Sequence, residues 1–348
     1  MTNPPLKNHD TGNVSYPGDF RIQLENKLDE LTQNALAKNT RDLYRMAFDS
    51  FRAFCAAGGI TREDEPHRVL ALYVAHMSAL GMKPNTISSY LAGVKHHLLE
   101  MGVVIDSNHT VLKAAIQGHV RTSNLEEGIT KKDALTFDEL QEIVAIIDDS
   151  TISGERDRTL MLVGFAGGFR RSEVSALRVG DLTFSDEGVV IRKRDSKGDR
   201  KKEGRIVAIS RVADGNHRMM CPVAALESWL RVYAEVRNVR ALTDEDPVFP
   251  RMFRGGSLSS KSITGESVLN ILRKHALAAG VITEETEHRL GAHSLRAGLI
   301  TAGYRKGADL RSLARQVDHK RLDTTNGYIR DQDVFENNPT SLIFGKNQ

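Results

Sequence analysis

Cysteine is scarce: Cys55 and Cys221 are the only two in 348 residues, and each lies in an apolar segment. That excludes a disulfide framework or a Cys-rich zinc site and fits a reducing compartment. Nowhere do apolar residues run to the eighteen or more that a membrane span requires. The opening stretch, MTNPPLKNHDTGNVSYPGDF, is polar, holds three prolines and lacks the apolar core of a secretory signal. It reads as a loose N-terminal arm on a cytoplasmic, bacterial-type protein. Also missing are a Gly-rich phosphate loop ending in Lys-Ser/Thr, a zinc-ligand spacing and a carboxylate cluster for magnesium. No metal, nucleotide or other cofactor is therefore expected. A strong charge of one sign is lacking too. With 48 basic and 45 acidic residues, the net +3 permits a polyanionic partner without requiring one.

What is present is an ordinary globular composition, 40% hydrophobic and 27% charged, in a chain long enough for two domains. Residues 1–20 form the arm. Residues 21–122 read as a helical domain. Leu43, Ala47, Phe48, Phe51 and Phe54 fall at helical spacing between a cap at Asn39 or Thr40 and a stop at Gly58-Gly59. A second helix is predicted from Pro66 to Leu80, with Val69, Leu70, Leu72, Tyr73 and Met77 inward. A third starts at Pro84 or Asn85, and a short one spans about 109–120. The polar run 121–135 predicts a linker, bounded at 123–135. Residues 136–330 mix helices with two β-branched strands, Val189-Val190-Ile191 and Ile206-Val207-Ala208-Ile209, and Val248-Phe249 as a further short strand. Residues 331–348 form a tail whose apolar knot is Leu342-Ile343-Phe344. The expected fold is mainly α with a small antiparallel sheet.

Four segments carry possible chemistry. The turn between the strands, RKRDSKGDRKKEGR (192–205), holds eight basic and three acidic residues. It suits either a solvated hairpin loop or a basic finger along a phosphate backbone. Gly167-Gly168 ends an apolar helix, and Arg170 follows with Glu173 three residues on. An arginine held at a buried helix end suits a bidentate grip on phosphate oxygens, although read alone the pair fits a structural ion pair. His293 and Arg296, three apart at a helix start, project to one side and suit an oxyanion better than a metal, because arginine is no ligand. His319 precedes Tyr328 by nine residues. A phenol with an ordinary pKa near 10 needs cations or a base around it to act as a nucleophile. Together the segments supply arginine, lysine, histidine, arginine, histidine and tyrosine in that order, the makings of metal-free phosphoryl transfer to a tyrosine.

These residues resemble the tyrosine recombinase (phage integrase) family. Its Gly-Leu-Arg-x-Ser-Glu box is similar to Gly168-Phe169-Arg170-Arg171-Ser172-Glu173, and its His-x-x-Arg box to His293-Ser294-Leu295-Arg296. His319, Thr324-Thr325 and Tyr328 keep the spacing of its last box. The family's hairpin lysine falls most naturally on Lys197, with Lys201 and Lys202 also available. One departure is Asp318, where the family usually has glycine.

The resemblance implies a helical core-binding domain followed by a catalytic domain of the DNA breaking-rejoining type, closing on the duplex as a clamp. It implies a site-specific recombinase working through a 3′-phosphotyrosyl intermediate without metal or ATP. Tyr328 would be the nucleophile, Arg170 and Arg296 the phosphate clamp, and Lys197 the acid for the leaving oxygen. His293 and His319 would assist, with Glu173 supporting the site. Candidate DNA contacts are Arg41, Arg45, Lys83, Asn85, Ser88, Ser89 and Lys95 in the first domain and Lys261 and Thr264 in the second. The implied partner is double-stranded DNA with a short inverted-repeat site, bound by a homotetramer on two sites, with the tail docked on a neighbouring subunit.

Overall fold

The computed structural model describes residues 20–127, 134–193, 205–212, 219–328 and 340. The chain divides into two compact units, Met1–Thr130 and Lys131–Gln348.

The first unit is helical: α1 (Phe20–Asn34), α2 (Lys38–Ala57), α3 (Pro66–Ala79), α4 (Pro84–Glu100) and α5 (Thr110–Glu127). Proline at the first turn starts α3 and α4, where the missing N–H costs nothing. Glu65 caps α3, accepting from the amides of His67 and Arg68 at 2.9 and 2.6 Å. The start of α2 differs from expectation. Asn39 and Thr40 lie inside the helix, and Ala37 takes the cap position without a side-chain bond. Leu72 also differs, being 48% exposed. The buried stripe of α3 runs through Leu70, Tyr73, Val74 and Met77, which leaves Leu72 on the far side of a 3.6-residue turn. The linker expected from 123 is helical through Glu127, because no glycine or proline falls within residues 119–127.

The second unit holds α6 (Phe137–Ala145), α7 (Ile152–Ala166), α8 (Arg171–Ser175), α9 (Pro222–Val236), α10 (Gly265–Ala278), α11 (Ser294–Arg305), α12 (Leu310–Gln316) and α13 (Leu322–Asn326). Strands β1 (Leu182–Phe184), β2 (Gly188–Lys193) and β3 (Arg205–Ser210) form an antiparallel sheet in that order. Its register pairs Val190 with Ala208 and, as the last rung, Lys193 with Arg205. Strands β4 (Pro250–Met252) and β5 (Leu258–Ser262) form a separate hairpin. Val248 and Phe249, expected as a strand, are instead fully buried just ahead of β4. The core is built on α7, whose Leu160 and Val163 are fully buried, with Trp229 and Tyr233 of α9. Trp229 donates its indole N–H to the Val248 carbonyl at 2.7 Å.

Several helices of this unit end in the same way, and two of those ends lie side by side. After α7, the amides of Gly168 and Phe169 donate back to Phe165 and Gly164 at 3.0 and 3.1 Å, with Gly168 at φ 56°. After α12, the amides of Asp318 and His319 donate back to Arg315 and Ala314 at 3.2 and 2.9 Å, with Asp318 at φ 58°. Both are Schellman turns, which require a left-handed residue after the cap. The two turns touch: a Cβ on Gly168 would lie 2.7 Å from Val317 Cγ1 and 2.9 Å from Leu299 Cδ2.

Lys197, Lys201 and Lys202, the inter-domain residues 128–133, the arm before Phe20 and the tail with Leu342–Phe344 lie outside the described residues. Gly168→Ala should be strongly destabilising. The left-handed backbone costs about 1–2 kcal/mol, and the crowding at Val317 adds about 1–3 kcal/mol. Urea unfolding checks this; an unchanged midpoint contradicts the packing described.

Candidate active site

The Schellman turn of α7 delivers Phe169 into the core, 1% exposed, and Arg170 to the cap position of α8. Glu173 in the first turn of α8 accepts from the Arg170 amide at 2.9 Å and from the Arg170 guanidinium. The Gly-box spacing thus lets Glu173 bond the amide and the guanidinium of the cap residue Arg170 at once. Arg296 enters from α11, three residues after the cap residue His293. Its side chain is 1% exposed. Nη1 donates to the Gly168 carbonyl at 2.9 Å and lies 3.7 Å from Glu173 Oε2. The other terminal nitrogen, Nη2, is buried and has no hydrogen-bond partner. A buried unpaired guanidinium donor is costly, and such donors mark functional sites.

His319 is held by the Schellman turn of α12. Its Nδ1 lies 2.9 Å from Thr325 Oγ1, and Arg296 Nε lies 3.4 Å from its Nε2. Tyr328 stacks on the imidazole, with ring centroids 5.5 Å apart. His293 stands exposed at the head of α11, within the fields of Arg170 and Arg296. The structure thus draws Arg170, Glu173, Arg296, His293, His319 and Tyr328 into one cluster from α7–α8, α11 and α12–α13.

One member of the cluster was hidden in the charge run. Lys193, 4% exposed, places Nζ 3.3 Å from Glu173 Oε2 and 5.0 Å over the Phe169 ring. Its signal was the strand alternation: residues 189, 191 and 193 all point inward. Arg205, its partner across the last rung, forms an ion pair with Asp318. Three cations, Arg170, Lys193 and Arg296, therefore surround one carboxylate, Glu173, and the cluster is left positive.

These neighbours move the titrations. Burial opposes the Glu173 charge, but Lys193 and the amide and guanidinium of Arg170 reverse this and hold its carboxyl below the usual range. Burial lowers Lys193, and Arg296 and Arg170 add to this against the pull of Glu173. Arg296 falls to about 10 through burial and Arg170, which still leaves it charged at neutral pH. Desolvation, then Arg170 and Arg296, lower His293. Burial and the same guanidiniums bring His319 down to about 4. At neutral pH both imidazoles are uncharged and able to accept protons.

The candidate DNA contacts are more dispersed. Asn85 and Ser88 are exposed on α4, and Lys83 takes its cap position. Ser89 is half-buried and donates to the Asn85 carbonyl of its own helix at 2.9 Å. Lys95 is bound to Ser107 Oγ at 2.8 Å and lowered by burial. On α2, Arg41 is half-buried and Arg45 pairs with Asp42 at 2.8 Å. Lys261 is exposed on β5, and Thr264 caps α10 by accepting from the Ser267 amide at 3.1 Å. Among the described residues, Glu65, His67 and His109 have the spacing to hold a metal. Both His67 nitrogens are already engaged there, by Glu65 and by the Asp106 amide.

Because His319 titrates at about 4 in the folded chain and at 6.5 ordinarily, the unfolded state takes up its proton first on acidification. Its contribution to stability is complete above about pH 6.5 and declines as pH falls toward about 4. Urea midpoints measured across that range should drop less steeply for His319→Gln than for the parent chain. Identical slopes would contradict this placement of the ring.

Residues 133–334 match the phage integrase family. An integrase/recombinase XerD homologue of Selenomonas ruminantium is 27% identical over 337 residues, covering 96% of this chain and 93% of that protein. Tyrosine recombinase XerC of Pelotomaculum thermopropionicum is 28% identical over 307 residues, 85% of this chain and 88% of that one. Two solved structures share the fold. The XerH recombinase in a post-cleavage complex with palindromic difH superposes with TM-score 0.62 at 18% identity, over 87% of this chain and 78% of that one. A λ integrase tetramer bound to a Holliday junction gives 0.53 at 13% identity, over 90% and 77%. The family match takes in more than half of the chain and every residue of the cluster, and this chain belongs to the phage integrase family of tyrosine-type, site-specific DNA recombinases.

Proposed function

We propose that this recombinase breaks duplex DNA by attack of the Tyr328 hydroxyl on a backbone phosphate. The observation that carries the reading is the Arg296 guanidinium, buried, with Nη2 unpaired, beside the Arg170–Glu173 pair and the Tyr328–His319 stack. The Tyr328 oxygen bonds to phosphorus, the bond from phosphorus to the 5′ oxygen breaks, and a 3′-phosphotyrosyl link remains. Arg170 and Arg296 offset the charge that grows on the non-bridging oxygens, and His319 bonds one of them. Neutral His293 assists transfer of the phenolic proton. Lys197 protonates the departing 5′ oxygen, with Lys201 or Lys202 as the other hairpin cations able to do so. Glu173 keeps the arginines in register. The intermediate conserves a phosphate diester, so rejoining to a new strand needs no ATP. Fixed cations of the chain itself supply the charge that a metal provides elsewhere.

Duplex DNA is the partner, with Asn85, Ser88 and Ser89 on a groove-facing helix and Arg41, Arg45, Lys83, Lys95, Lys261 and Thr264 as further contacts. Lysines chiefly set position, and short polar side chains read bases. The bound site is a short inverted repeat, and two sites are joined by a homotetramer; the λ integrase tetramer on its junction supports that assembly. The residues beyond 330 dock on the neighbouring subunit. No helix of the described residues is long and apolar enough to cross a membrane, and a recombinase of this kind acts in the cytoplasm, where the chromosome lies.

The test uses a library of nicked duplexes with randomised arms, from which DNA covalently attached to protein is recovered after denaturation. The parent chain should yield adducts enriched in one sequence, in excess EDTA as well as without it. Tyr328→Phe should yield none while still shifting the enriched duplex in a gel. Adducts at parent level from Tyr328→Phe would remove Tyr328 as the nucleophile.

A further inference from the structure

Asp318 stands where a glycine would meet the backbone requirement without strain. Its φ of 58° lies in the left-handed region, which costs an ordinary L-residue about 1–2 kcal/mol, less for aspartate than for most. The carboxylate is nonetheless turned inward, its side chain 8% exposed, onto the Arg205 guanidinium. Arg205 begins β3, and its partner across the sheet is Lys193, the last residue of β2. Lys193 in turn reaches Glu173, which holds Arg170. The rung from which residues 194–204 leave and to which they return is thus tied on one side to the arginine pair and on the other to the turn that presents His319. A second tie runs parallel to it. Gln316, at the end of α12, donates to the Ala208 carbonyl on β3 at 2.9 Å and to the Ala166 carbonyl at the end of α7 at 3.2 Å.

We propose that Asp318 is a positioning residue: its ion pair with Arg205 fixes the His319 turn against the root of the β2–β3 hairpin, setting the imidazole and the hairpin in one register. Arg205 acts in the same pair, from the strand side. Neither side chain touches the reacting atoms; both act through His319 and the rung. The effect on cleavage rests on the role given to His319 above, whereas the effect on the ring's position does not.

Asp318→Gly separates the possibilities, since it frees the backbone while removing the pair. Its melting temperature should match or exceed that of the parent chain. Its single-turnover rate of adduct formation on the enriched duplex should fall on the order of tenfold or more, as misplacement by a fraction of an ångström does, with DNA affinity unchanged. Arg205→Lys should keep most of the rate, Arg205→Gln should lose it, and the Asp318→Gly/Arg205→Gln double variant should be no slower than the slower single. The His319 ring, followed by NMR without DNA, should titrate above the value of about 4 that burial and then Arg296, Arg170 and His293 set against the opposing pull of Glu173. Removing a carboxylate alone would move it the other way, so a rise reports lost enclosure. A parent-like rate in Asp318→Gly, with His319 still near 4, would overturn the proposal. So would Arg205→Gln weakening DNA affinity at an unchanged saturating rate, which would make Arg205 a phosphate contact. If the parent chain forms no adduct, the catalytic reading fails, and the His319 titration still decides the latch.

Discussion

The buried guanidinium of Arg296 is the constraint on which the site depends. An arginine 1% exposed is tolerable only where its donors are met. Here Nη1 is met by the Gly168 carbonyl and approaches Glu173, and Nε faces His319. Each partner belongs to a different segment, so the charge that must be satisfied also gathers the turn after α7, the start of α8 and the turn after α12. The unpaired Nη2 is the exception. Its cost is accepted in the free protein, which suits a donor meant for an anion.

Backbone geometry makes this gathering possible. Two Schellman turns pack together through Gly168 and Val317, and each releases a site residue immediately afterwards, Arg170 from one and His319 from the other. Rigid helix ends, rather than long loops, therefore hold the cations. The β2–β3 hairpin joins them through Lys193 and Arg205 at its root. Glu173, alone among three cations, keeps them close without neutralising them.

Much of this was legible in the sequence. Pro66 and Pro84 announced helix starts, and Arg170, Glu173, His293, Arg296, His319 and Tyr328 stood at telling spacings. What stayed hidden depended on partners far along the chain. Lys193 read as one more charge in a polar turn, because only its strand register turns it inward onto Glu173. Asp318 was visible as a departure from glycine, but its reason, Arg205, lies 113 residues away. Strands β1, β4 and β5, three to five residues long, are too short for alternation to register. Leu72 misled because an apolar residue can lie on the open side of a helix.

The central claim is that Tyr328 carries the DNA. Digesting the trapped adduct with protease and nuclease and sequencing the modified peptide by mass spectrometry tests it most directly. The account predicts a nucleotide joined through its 3′ phosphate to Tyr328. A nucleotide on any other residue, including Tyr304 of the same unit, would contradict it.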